Sequence, residues 1–92
     1  MKRFTVRLTL PAERDLEGLE EKARLQLLEA LKLLEETPFQ HPRIKKLKGI
    51  KPPHYRLRVG DYRAIYRLDK DVVVVLRVVH RGELEQTIRG LL

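Results

Sequence analysis

The stretch Tyr55-Arg56-Leu57-Arg58-Val59-Gly60-Asp61-Tyr62-Arg63-Ala64-Ile65-Tyr66 decides the fold. On both sides of Gly60-Asp61 the residue types alternate with a period of two, the spacing of a strand with one buried face. Glycine first in a two-residue connection suits a type II′ hairpin. Such a turn fixes register, so Val59 lies opposite Tyr62, Arg58 opposite Arg63, Leu57 opposite Ala64 and Tyr55 opposite Tyr66. Facing residues share a side of the sheet. One side then holds Tyr55, Leu57, Val59, Tyr62, Ala64 and Tyr66, a candidate core. The other holds Arg56, Arg58, Arg63, Ile65 and Arg67.

Like charges directly opposed across strands cost up to about 1 kcal/mol. Here Arg58 meets Arg63, with Arg56 diagonal to it, and no carboxylate within the two strands relieves them. Guanidinium forks match phosphate oxygens two at a time, so the side reads as a site for a phosphate-bearing anion. The alternative is a solvated arginine face paired with helix glutamates.

Beyond the hairpin a third strand runs from about Val72 to Val79. One residue more or less in the Asp69-Lys70-Asp71 connection reverses which side Arg77 and Arg81 face. A three-residue loop is predicted, because it sets Arg77 opposite Arg63 and Arg81 on the arginine side. The other parity buries a charge against Tyr62. Upstream, residues 39 to 54 read as a loop-like basic arm, with Arg43, Lys45, Lys46, Lys48 and Lys51 spaced among prolines and glycine. Phe4 to Leu8 alternates as a strand. Pro11 then opens a helix carrying Ala12, Leu16 and Leu19. Gly18 marks a break, and a longer amphipathic helix from Glu20 carries Ala23, Leu27, Ala30, Leu31 and Leu34 until Thr37-Pro38 ends it. The tail from Gly82 is weakly helical. The expected fold is a single α+β domain over residues 1–92. Two antiparallel N-terminal helices pack on a mainly antiparallel four-stranded sheet, in the order β-α-α-β-β-β-α with a short C-terminal helix.

Composition narrows the chemistry. The 92 residues suffice for one compact domain. Cysteine and serine are absent, which excludes thiolate metal sites, disulfides and serine or cysteine nucleophiles. His41, His54 and His80 have no metal-ligand spacing, so neither metal nor cofactor is expected. The longest aliphatic run, Val72 to Leu76, is far short of the ~20 residues of a membrane span, and no secretion signal opens the chain; a cytoplasmic protein is expected. The lack of Asn, Ser and Cys, with Glu, Arg, Lys and Leu in excess, looks like a heat-adapted composition. Interleaved surface ion pairs would balance both halves, and they do not. Residues 1–42 hold seven Lys/Arg and eight Asp/Glu, whereas residues 43–92 hold thirteen and five, a charge of +8. That field attracts polyanions, nucleic acid first among them.

Three strings carry a family resemblance: Lys46-Leu47-Lys48-Gly49, the hairpin from Tyr55 to Tyr66, and Val78-Val79-His80-Arg81. Together they resemble the RelE toxins of the RelE/ParE superfamily over nearly the whole chain. The resemblance implies a ribosome-dependent endoribonuclease that cleaves messenger RNA in the ribosomal A site and is held by an acidic RelB-type antitoxin. It implies catalytic roles for Arg56 and Arg58 on the first hairpin strand, for Arg63 and for Arg81, with Lys45, Lys46, Lys48 and Lys51 on ribosomal RNA. The chemistry would be attack of a ribose 2′-hydroxyl on the adjacent phosphodiester. Two departures stand out. Residues 82–87 lack the aromatic that such toxins commonly carry past the last arginine, and arginine, a poor proton acceptor, fills both positions where lysine is usual. His80 is the candidate base, since imidazole titrates near neutrality; the alternative is that it simply ends its strand. A ParE-like gyrase poison and a non-catalytic basic RNA-binding module are the alternatives.

Overall fold

The computed structural model describes residues 3–91. Strand β1 (Thr5–Leu8) leads into α1 (Leu10–Glu17) and α2 (Glu21–Leu33), followed by β2 (Ile44–Leu47), β3 (His54–Val59), β4 (Tyr62–Asp69) and β5 (Val72–His80). A 3-10 turn (Arg81–Glu83) then passes into α3 (Leu84–Leu91). Thr9 starts α1: its hydroxyl accepts the Ala12 N–H at 3.2 Å, and Pro11 sits in the first turn, where no N–H is missed. Gly18 ends α1, as its position in the sequence predicts.

The helix-facing side of the sheet buries the alternating set of the hairpin. Leu57, Ala64 and Tyr66 join Val73, Val75 and Val78, and Ala12, Leu16, Leu27, Leu31 and Leu34 close over them. The predicted register holds at every pair from Tyr55↔Tyr66 to Val59↔Tyr62. Gly60 takes φ +59°, the left-handed start of a II′ turn.

Three expectations need correction. The sheet has five strands, in the order β1-β5-β4-β3-β2, and β1 runs parallel to β5. The added strand is β2, inside the supposed loop-like arm. Its apolar residues Ile44 and Leu47 are three apart, so no period of two announces it. Pairing with β3 selects it, with Ile44 opposite Leu57 and against the core. Lysines at 45 and 46 suit an edge strand, which they keep from pairing further. The third correction concerns the β4–β5 turn. Asp69 pairs with Val72 across only Lys70 and Asp71, and Lys70 has φ +58°. A bulge then shifts the register between Tyr66↔Val75 and Ile65↔Arg77, leaving Leu76 as the extra residue. Arg77 therefore faces Ile65 instead of Arg63, although on the predicted side.

Helix α3 covers part of that second side. It packs on β5, and Leu91 shares a shallow cavity with His54 and Arg67. Beneath it Ile65 and Val79 are buried, apart from the main core. The remainder of this side is left to arginines.

Candidate nucleic-acid interface

Strand register builds a cationic patch. Arg58 stands opposite Arg63, and Lys45 opposite Arg56 on the neighbouring pair. The Arg81 N–H donates to the Asp61 carbonyl at 2.8 Å, which ties the end of β5 to the hairpin turn. Arg63 lies at the centre. Partial burial, then the positive charges of Arg56, Arg58 and Arg81, lower its pKa from the ordinary arginine value, against a smaller opposing pull from Asp61. Its Nη1 donates to the carbonyls of Gly60 and Tyr62, both at 2.9 Å, so the turn holds this guanidinium in one place. Among the described residues no carboxylate comes within ion-pair distance of Arg56, Arg58 or Arg63. Arg81 Nε is 3.8 Å from Asp61 Oδ1, but both side chains are about two-thirds exposed, so the pair is weak.

Among the described residues, Arg77 is the one strand arginine firmly neutralised. Its Nε and Nη2 donate to the two carboxylate oxygens of Asp15 at 2.7 and 3.0 Å. That contact raises the Arg77 pKa.

A patch of mutually repelling cations carries a stability cost in the free protein. Arg58→Thr is therefore expected to stabilise the fold by up to about 1 kcal/mol. The gain should shrink as salt screens the repulsion. Thermal melts at low and high ionic strength check both points; a loss of stability at low salt would mean that Arg58 has a favourable partner.

The lysines divide. Lys45 shares the arginine side, whereas Lys46, opposite Tyr55, belongs to the helix-facing side. Lys48 and Lys51 are exposed in the β2–β3 connection. Arg43 was not among the candidates. Its carbonyl accepts the Arg58 N–H at 2.9 Å, and it lines a groove with Arg58 between α2 and the hairpin. Reading residues 44–47 as a strand would have extended the alternation to it.

His80 does not join the arginines, contrary to expectation. It lies opposite Tyr62 on the helix-facing side, ring edge to ring face at 5.9 Å between centroids. Its Nδ1 accepts the Gly82 N–H at 3.2 Å, capping the 3-10 turn. Alternation along β5 explains this, since neighbours on a strand point to opposite sides. The other rings avoid the patch too: Phe4, Phe39, Tyr55 and Tyr66 form a continuous series of contacts by the main core. Among the described residues no group of three or more His, Asp or Glu is arranged to hold a metal ion, and no helix is long and apolar enough to cross a membrane.

A small sheet with two helices on one side matches the RelE-like fold. Residues 6–85 match the family model for the ParE toxin of the type II toxin–antitoxin system parDE. Among solved structures, the chain is similar to the RelBE2 toxin–antitoxin complex of Mycobacterium tuberculosis (35% identity, TM-score 0.72, covering 86% of this chain and 99% of that one). It is also similar to the archaeal RelE–RelB complex of Pyrococcus horikoshii OT3 (30%, 0.74, 87% and 97%). A third likeness is the intact RelBE complex of E. coli (28%, 0.69, 84% and 95%). No curated protein sequence matches. The chain belongs to the RelE/ParE family and is a toxin of a type II toxin–antitoxin system.

Proposed function

We propose that the protein cleaves messenger RNA on the ribosome, with Arg56, Arg58, Arg63 and Arg81 around the scissile phosphate. The observation that carries this reading is the convergence of those guanidiniums on Arg63 without a carboxylate on three of them. In the reaction the ribose 2′-oxygen bonds to phosphorus as the bond to the 5′-oxygen breaks. The products are a 2′,3′-cyclic phosphate and a 5′-hydroxyl, and the proton lost by the 2′-hydroxyl is balanced by one gained at the leaving oxygen. Fixed cations lower the barrier by offsetting charge on the phosphorane. They also hold the attacking and leaving oxygens in line. With His80 on the other side of the sheet, positioning takes the weight that a dedicated base would otherwise bear. Lys45, Lys48 and Lys51, with Lys46 at the edge, engage ribosomal RNA.

An acidic RelB-type antitoxin is the proposed regulator, since complexes with RelB are what the similar structures contain and a patch of this sign attracts an acidic partner.

The test is a programmed ribosome with its 5′ ends mapped. Cuts in phase with codons are expected; uncut messengers with translation unaffected would reject the reading. His80→Ala is expected to cost less than about tenfold, well short of the 10²–10⁴ that a general base supplies. The ParE family match favours a second reading, a gyrase poison, for which inhibition of DNA supercoiling with messengers intact is the distinguishing result.

A further inference from the structure

The bulge at Leu76 decides what β5 presents. Continued unbroken from Tyr66↔Val75, the pairing would set Ala64 opposite Arg77 and turn Arg81 toward the helices. With the bulge, Ile65 meets Arg77 and Arg63 meets Val79, so Arg81 comes to the patch. A bulge leaves ladder groups without strand partners, and here β1 also stops, its last pair being Leu8↔Val75. The groups exposed just beyond are met by α1. The Thr9 N–H donates to the Val75 carbonyl at 3.0 Å, and the Thr9 hydroxyl donates to the Leu76 carbonyl at 2.9 Å. Asp15 Oδ2 accepts the Val78 N–H at 2.9 Å while the same carboxylate binds Arg77. Three groups on the bulged edge, the Val75 and Leu76 carbonyls and the Val78 N–H, are thus met from α1, the first by the Thr9 backbone and the other two by the Thr9 and Asp15 side chains, and Asp15 remains largely shielded from solvent.

We propose that Thr9 and Asp15 are positioning residues: by holding the β5 bulge they set the register of residues 77–81, and with it the side of the sheet on which Arg81 acts. They touch no substrate. Their effect on cleavage runs through Arg81, and to that extent the proposal rests on the nuclease reading; the register itself does not.

Both parts are measurable. In the wild type, cross-strand nuclear Overhauser contacts should join Ile65 with Arg77 and Arg63 with Val79. In Thr9→Ala/Asp15→Ala they should weaken in favour of Ala64 with Arg77 and Arg63 with Val78. On programmed ribosomes the double variant is expected to lose about as much activity as Arg81→Ala, on the scale of ~10²–10³ for one fixed donor. Adding Arg81→Ala should cost nothing more, because both act through one group, whereas Arg56→Ala should multiply. Thr9→Ser, which keeps the hydroxyl, should restore register and rate. Deleting Leu76 gives a second route if the alanine variants fold poorly. Without the extra residue, Ile65 meets Arg77 in unbroken pairing, so Thr9→Ala and Asp15→Ala should no longer lower cleavage in that background. Unchanged contacts in the double variant, losses that multiply with Arg81→Ala, or equal losses with and without Leu76 would overturn the proposal. A wild type that leaves messengers whole overturns only the nuclease reading, and the cross-strand contacts still decide this one.

Discussion

Arg63→Ala is expected to lower ribosome-dependent cleavage by ~10²–10³-fold, the loss found on removing one preorganised donor from a developing anion. Three features single out this arginine. It faces Arg58 across the hairpin, and the charges of Arg56, Arg58 and Arg81 all bear on it. The carbonyls of Gly60 and Tyr62 fix its head, so little ordering remains to be done when a phosphate arrives. Arg63→Lys should recover only a small part of the rate, because an ammonium has neither the fork nor the reach to keep both the turn carbonyls and a phosphate oxygen. The same alanine variant should melt no lower than the wild type, since removing it relieves three repulsions. Single-turnover cleavage beside a thermal melt separates the two. A variant that cuts within tenfold of wild type would remove Arg63 from the chemistry.

The second large effect lies in the core. Tyr66 is fully buried, stacks on Tyr55 at 5.5 Å between centroids, and donates its hydroxyl to the Pro38 carbonyl at 2.7 Å. Tyr66→Ala removes the ring and the bond together and is expected to cost about 3–5 kcal/mol. That is a large share of the ~5–15 kcal/mol that holds a domain folded. Tyr66→Phe keeps the ring and should cost about 1–3 kcal/mol for the carbonyl left unpaired. Burial, with a lesser contribution from Tyr55, raises the Tyr66 pKa. The folded chain then holds the phenol proton more tightly than the unfolded chain does, so stability is intact below about pH 10 and falls as pH rises beyond it. Tyr66→Phe should flatten that alkaline limb in denaturant titrations. An equally steep limb in Tyr66→Phe would assign the loss to other groups.

Much of this architecture could be read from residue order, and the failures have physical causes. The hairpin was legible because a two-residue turn leaves no freedom in register. β2 was not, because four residues with two central lysines carry no periodic signal and become a strand only when β3 offers a partner. On β5 a three-residue loop and a two-residue turn followed by a bulge shift the chain by the same one residue. Either brings Arg77 and Arg81 to the arginine side; where the extra residue sits depends on Thr9 and Asp15, more than sixty residues away in sequence. The arginine cluster was visible as unrelieved like charge. The separation of His80 from the arginines was already present in the alternation: the parity that presents Arg81 turns its neighbour away.

The segregation of all five aromatic rings to the helix-facing side has a consequence for reading RNA. In the proposed reading, a base on the open side finds no phenylalanine or tyrosine face among the described residues, and meets guanidinium and ammonium heads that grip the sugar–phosphate chain first and, among base edges, match guanine best. Under that reading the patch holds a strand chiefly by its backbone, and preference among codons beyond a taste for guanine falls to whatever presents the messenger to it.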